Sequence, residues 1–267
     1  MTAYYRALRR MVAKLAKSID RDIGPLIYNL SADEMPVVQG INDASNMLGS
    51  ELDAAFAGIW REWAELEKLS GPLAKKAMNT ANNNQRREFV GSFKSAAGVD
   101  LGKIADPSSK VKGRLIDRGI DAAFVDAVNT NVALIKTIGP QYLEHVEKAL
   151  YEGIRTGLDG HSLKQEVLKV NGQNYNRAKL IARDQMQKFN SALSNARQQS
   201  IGVTGYIWRT SQDDRVRETH AEKDGQRFDW NAPPSDTGHP GEDINCRCTA
   251  EPDLGSISPW VKDVIGS

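Results

Sequence analysis

Apolar residues recur at three- and four-residue steps along most of the chain, and such steps predict helices. Leu8, Met11, Val12, Leu15 and Ile19 form one stripe of an N-terminal helix, with Arg6, Arg9, Arg10, Lys14 and Lys17 beside it. Those bases read as the solvated face of a bundle helix rather than as an arm for membrane or nucleic acid. Gly24-Pro25 stops this helix. Leu48, Leu52, Ala55, Phe56, Ile59, Trp60 and Trp63 carry a second one, with its large aromatics in the core, up to a break at Ser70-Gly71-Pro72. From Asn82-Asn83-Asn84 to Ser108-Ser109 the chain is polar and punctuated by Gly91, Gly98, Gly102 and Pro107. This predicts a short helix over 89–97 followed by a loop, the best internal boundary.

Ile120, Phe124, Val128, Val132, Leu134 and Ile135 predict a further helix that Gly139-Pro140 ends. Leu143, Val146, Leu150 and Ile154 predict the next, which runs out at Gly157. Ser162-Leu-Lys-Gln165 has the form of a capping box and opens a short helix to Val170, after which Asn171-Gly172 reads as a turn. Ala178, Ile181, Ala182, Met186, Phe189, Leu193 and Ala196 then define a long amphipathic helix. Arg177, Lys179, Arg183, Lys188 and Arg197 flank its stripe or oppose it. These five are the candidates for contact with a nucleic-acid backbone, although a solvated helix face is the commoner meaning of such a pattern.

At Gly202 the period changes. Tyr206, Trp208 and Thr210 alternate with Ile207 and Arg209, as in a strand. Residues 226–230 and 246–251 each suit another short strand, and 231–245, rich in Pro, Gly and Asp, is largely loop. The expected fold class is therefore mainly α, an elongated multi-helix body with a small C-terminal α+β module. Its expected divisions are 1–110, 111–201 and 202–267. The module has too little apolar material to stand on its strands alone and needs a staple or a partner.

The chain has 267 residues, 40% of them hydrophobic, and a net charge of +1, which excludes disorder over its whole length. The charge balance also argues against a dedicated DNA binder, while leaving room for local basic patches. No apolar run approaches the length of a membrane span, and the basic residues of the first helix interrupt any signal-peptide core. Folding in a cytoplasm is expected. The two cysteines, Cys246 and Cys248, stand too close in sequence for a disulfide framework.

His220, His239, Cys246 and Cys248 all fall within the small module. A structural zinc ion takes four nitrogen or sulfur ligands in a tetrahedron, and a Cys-x-Cys on one strand points both sulfurs to one face. Zn2+ is thus the candidate staple, with Asp224 and Asp243 as spare oxygen ligands. The plainer alternative is a pair of buried, reduced core cysteines. An enzymatic reading would rest on Asp213-Asp214 with His220, but the Asp-Asp-Arg-Val-Arg string looks like an internally neutralised turn. No Gly-rich phosphate loop, nucleophile elbow or His-Glu-x-x-His helix is present, so no enzyme is expected.

The run Tyr206-Ile-Trp-Arg-Thr-Ser-Gln-Asp-Asp-Arg-Val-Arg217, then His220, Asp224-Gly225, Phe228, His239-Pro-Gly and Asn245-Cys-Arg-Cys248 through Pro252, resembles the phage Mu F-like minor head proteins, especially their SPP1-type head morphogenesis branch. Segments 131–138, 151–154 and 177–184 resemble that branch too. The likeness extends over about 124–252. It implies a virion protein without enzymatic activity, present in few copies in the head interior or at the portal vertex and assembled in the host cytoplasm. The implied partners are the portal protein, a major capsid or scaffolding protein, and packaged DNA. Many relatives carry Cys-x-x-Cys after the strand and end on His-Pro-Asn-Cys-Arg-Cys, a pattern that itself looks metal-binding. Here Arg217 and His220 replace those first two cysteines, and 241–244 is inserted after His239-Pro240. Arg cannot ligate zinc, so the implied ligands are His220, His239, Cys246 and Cys248. Two other functions stay open. One is a zinc-stapled nucleic-acid binder using the five helix bases with Arg209, Arg215, Arg217 and Arg247. The other is a metal-dependent hydrolase around His220 with an open coordination position.

Overall fold

A computed structural model describes residues 2–28, 43–98, 100–105, 115–257, 259 and 263. Helices α1 (Ala3–Asp22), α2 (Gly24–Ile27), α3 (Asp43–Glu67), α4 (Ser70–Ala97), α5 (Ile120–Lys136), α6 (Ile138–Arg155) and α7 (Gly160–Ser200) precede a short sheet. The last part holds β1 (Gly205–Arg209), the single-turn α8 (Glu218–Ala221), β2 (Arg227–Asp229) and β3 (Thr249–Pro252). The protein is mainly α with a small C-terminal α+β module. It packs into two compact units, Met1–Ala74 with Asn131–Ala182, and Lys75–Thr130 with Arg183–Ser267. No described helix is long and apolar enough to cross a membrane.

In the first unit, Thr2 caps α1 by accepting a hydrogen bond from the Tyr5 amide. The predicted stripe Leu8, Met11, Val12, Leu15 and Ile19 is buried, and α1 packs on α3 and α6. From α3 come Leu52, Phe56, Ile59 and Trp63, and from α6 Tyr142, Leu143, Val146 and Leu150. Each such aliphatic side chain contributes about 1.5–3 kcal/mol by leaving water. Trp60 departs from its expected core position and stays 38% exposed. The helix expected to end at Gly139-Pro140 ends slightly earlier, at Lys136, and both residues sit in the first turn of α6, where the missing proline amide costs nothing. Gly139 lies so close to the Trp63 ring that a Cβ there would come within 2.1 Å of it.

Two expected interruptions are contradicted by the helices. Helix α4 runs unbroken through Asn82-Asn83-Asn84. Asn82 and Gln85 are polar because they receive the guanidinium of Arg197, which is wholly buried. Ser70-Gly71-Pro72 opens this helix, and the loop expected beyond it lies partly outside the described residues. The expected turn at Asn171-Gly172 is likewise absent, for α7 is one helix of 41 residues. Its start is capped by Asp159, whose carboxylate accepts from the Ser162 amide at 2.7 Å, and the capping box at Ser162 does not form the start. Gly202 ends α7 with φ +78°, and the Val203 amide returns to the Gln198 carbonyl at 3.0 Å.

The sheet is antiparallel in the order β2-β1-β3, with Tyr206 opposite Phe228 and Trp208 opposite Ala250. The partner it needs is the end of α7. The Gln198 side chain accepts from the Trp230 indole at 3.0 Å and donates to the Ala250 carbonyl at 2.9 Å. Ser191 donates to the Pro240 carbonyl, and Asp184 accepts from the Asn245 amide at 3.1 Å. The last two bonds satisfy backbone groups of a long loop that has no ladder of its own.

Candidate metal centre

Strand β1 buries Tyr206 and Trp208 on the module's inner side, and the chain then turns back through Asp224, which accepts the Thr210 amide at 2.8 Å. This return places α8 beside the sheet and His220 at its heart, 2% exposed, with the Trp208 ring edge-on at 5.4 Å. His220 Nδ1 faces both thiols, 3.4 Å from Cys248 Sγ and 3.5 Å from Cys246 Sγ. The three donor atoms lie within 4.8 Å of one another, and all three residues are buried.

The cysteines do not sit on a strand. Both precede β3, in a turn that Asn245 makes with φ +58°, a conformation asparagine tolerates. Their sulfurs converge through this turn rather than through strand alternation. Cys246 Sγ accepts the amides of Gly241 at 3.3 Å and Cys248 at 3.4 Å. A hydrogen bond from the Cys248 thiol, then these amides and the neighbouring His220, pull the Cys246 thiol down to about 5. Sharing that proton, together with burial, pushes Cys248 the other way.

His239 is not part of the cluster. Its Nδ1 meets the Tyr206 hydroxyl at 3.0 Å, its ring lies 4.9 Å from Trp230, and its backbone amide donates to Glu242 at 2.7 Å. Glu242 belongs to the inserted segment 241–244, which holds His239 in this aromatic pocket. Asp243, from the same insertion, accepts from or pairs with His220 Nε2 at 3.0 Å. That is the place of an outer-shell carboxylate, which orients the imidazole so that its other nitrogen faces a metal. The alternation of residue types gave no signal for this role, since Asp243 reads in sequence as one more polar loop residue.

A metal fits the donor set. One imidazole nitrogen and two sulfurs, one already leaning to thiolate, are the borderline and soft ligands that zinc takes. Among the described residues these three are the protein donors, one fewer than a closed tetrahedral site requires. They also form part of the wall of a pocket of about 200 Å³, whose other lining residues include Arg183, Ser211, Arg215, Arg217, Asn245 and Arg247. Arg247 pairs with Asp213 and holds that carboxyl down at about 2. Arg217 contacts Asp243 at 3.3 Å and the Ile244 carbonyl at 2.6 Å.

The five helix bases fare unequally. Arg197 is buried in the second unit and out of reach of any backbone phosphate. Arg177 donates to Thr137 at 2.9 Å, and Lys188 pairs with Asp184 at 3.0 Å. Arg183 is exposed and borders the pocket, and Lys179 is exposed on the first unit's part of α7.

A mainly helical chain ending in a three-stranded module with a His–Cys–Cys cluster is the class that fold and site define. Residues 144–251 match the model of the family described as Phage Mu protein F like protein. The match encloses every donor and every pocket arginine. An uncharacterized protein of Haemophilus influenzae is 35% identical over 192 residues, which cover 72% of this chain and 41% of that protein. The chain thus matches less than half the length of that relative. No solved structure matches it.

Proposed function

We propose that this chain is a minor head protein of a tailed phage, acting in head morphogenesis at the portal. The observation that carries the reading is the family match over 144–251, which takes in all of α7 and the sheet module except the last residue of β3. The test is co-expression with the portal protein of the same phage. Co-elution with the portal oligomer is expected, and its absence under conditions where the portal assembles would reject portal association.

Within this reading the module is pinned by one zinc ion on His220, Cys246 and Cys248. When bound, zinc would supply a fixed crosslink between the α8 histidine and the two turn-borne cysteines, with Asp243 keeping the imidazole aimed at it. Because metal binding and folding are then coupled, chelation or Cys246→Ser should loosen residues 205–252 while the helices persist. Hydrogen exchange with elemental analysis of the same sample reads both effects. Metal-free protein whose module exchanges and unfolds unchanged would reject the pin.

A second reading, a metal-dependent hydrolase around His220, is favoured by the three-donor count and the adjacent pocket. It is weakened by the two pocket-side carboxylates, Asp213 and Asp243, which are both engaged by arginine and poorly placed as free bases. Ester or phosphodiester turnover by the zinc-loaded chain, abolished in His220→Ala, would favour it.

A further inference from the structure

The pocket beside the cysteines is built from three separate pieces of the second unit. Arg183 comes from α7, Arg215 and Arg217 from the loop before α8, and Arg247 from the turn between the two cysteines. Four guanidinium groups around about 200 Å³ repel one another unless anions lie among them. Among the described residues two carboxylates pair with the group, and Asp214 adds a weaker pull on Arg247. Asp213 is shared between Arg247 and, at 3.6 Å, Arg215, and Asp243 serves Arg217 and His220 together. Arg183 has no hydrogen bond or ion pair with any described residue. A net positive, solvent-open hollow remains.

Its size and donor geometry select the anion. The volume is below the 300–1,000 Å³ of ordinary organic-ligand sites, so a small charged group fits better than a whole cofactor. One planar guanidinium fork saturates a carboxylate, whereas arginines converging from several segments match the several oxygens and double charge of a tetrahedral phosphoryl group. Ser211 and Asn245 on the same wall add neutral donors. We propose that this pocket binds a single phosphoryl group, held by Arg183, Arg215, Arg217 and Arg247. The site rests on these side chains alone, and it stands or falls independently of both portal association and the metal. It is a discrete site rather than a track along a nucleic-acid backbone, because its donors surround one hollow instead of lining a helix face.

The test is calorimetric titration of the full chain with inorganic phosphate in chloride buffer, with acetate as the carboxylate control. Saturable binding of one phosphate per chain is expected, with acetate far weaker. Arg183→Ala and Arg215→Ala should each weaken phosphate by about tenfold, the usual size for losing charge-assisted bonds. Both side chains are exposed, so circular dichroism should report unchanged folding in the two variants. A parallel arm compares one short single-stranded oligonucleotide with and without a terminal phosphate. Tighter binding of the end-phosphorylated strand, lost in Arg183→Ala, assigns the site to strand ends. Phosphate binding with no such difference assigns it to free phosphate or mononucleotides. Absence of saturable phosphate binding, acetate binding as tightly, or affinity unchanged in both variants would overturn the proposal.

Discussion

Burial holds the His239 imidazole below the ordinary histidine range, against the weaker pull of Glu242 toward the charged form. A group whose folded value is depressed binds fewer protons in the native state than in the unfolded chain. It therefore contributes stability above the ordinary value of about 6.5, and that contribution is lost as pH falls below it. The module's thermal midpoint should accordingly drop on acidification through this window, and His239→Gln should flatten the slope while lowering stability at every pH through the lost packing on Tyr206 and Trp230. Equal slopes in the two proteins would show that the ring does not titrate on unfolding. His239 also marks the limit of what sequence could say here. It is one of four zinc-type side chains in the module, and only its neighbours in space, a tyrosine hydroxyl and an indole, reveal that it is a packing residue. The insertion at 241–244 was the warning, because it moves His239 away from the two cysteines that follow it. His220, Cys246 and Cys248 were legible as ligand types, but the Asp243 partner and the pocket arginines were not, since loop residues carry no period to place them.

At the scale of elements, most helices were legible from their stripes, and the misreadings share one cause. Along α7 the buried positions Leu163, Val167, Val170, Asn174, Ala178, Ile181 and Gln185 keep steps of three and four without a gap. Asn174 and Gln185 are polar members of that stripe, so a search for apolar residues alone sees it broken near Asn171-Gly172. The same blindness hid α4, where polar residues face the buried Arg197. Local turn chemistry lost to the continuity of a buried face. Two glycines test this with opposite signs. Gly172 sits inside α7 with open space around its Cβ position, so Gly172→Ala should stabilise the protein by about 0.5–1 kcal/mol. Gly139→Ala forces a methyl into the Trp63 ring and should destabilise by about 1–3 kcal/mol. Urea denaturation of the pair checks both, and a destabilising Gly172→Ala would mean that the helix is not regular there.

For the whole molecule, global composition and local chemistry separate. A net charge of +1 argues against a dedicated binder of nucleic acid, yet it is an average over 35 basic and 34 acidic residues. Four of those bases meet at one hollow beside two sulfurs, and no count along the chain reports that meeting. The family match spans this region, while residues 1–143 lie outside it. Of the five tryptophans, Trp60 and Trp63 fall in the first unit and Trp208 and Trp230 in the second, Trp208 edge-on to the His220 ring, and Trp260 lies outside the described residues. The chain therefore carries its own optical reporters. Replacing Trp260 together with either pair by phenylalanine would leave an emission signal that belongs to one half, so that events at the helical core and those at the sulfur cluster could be timed separately with no dye attached.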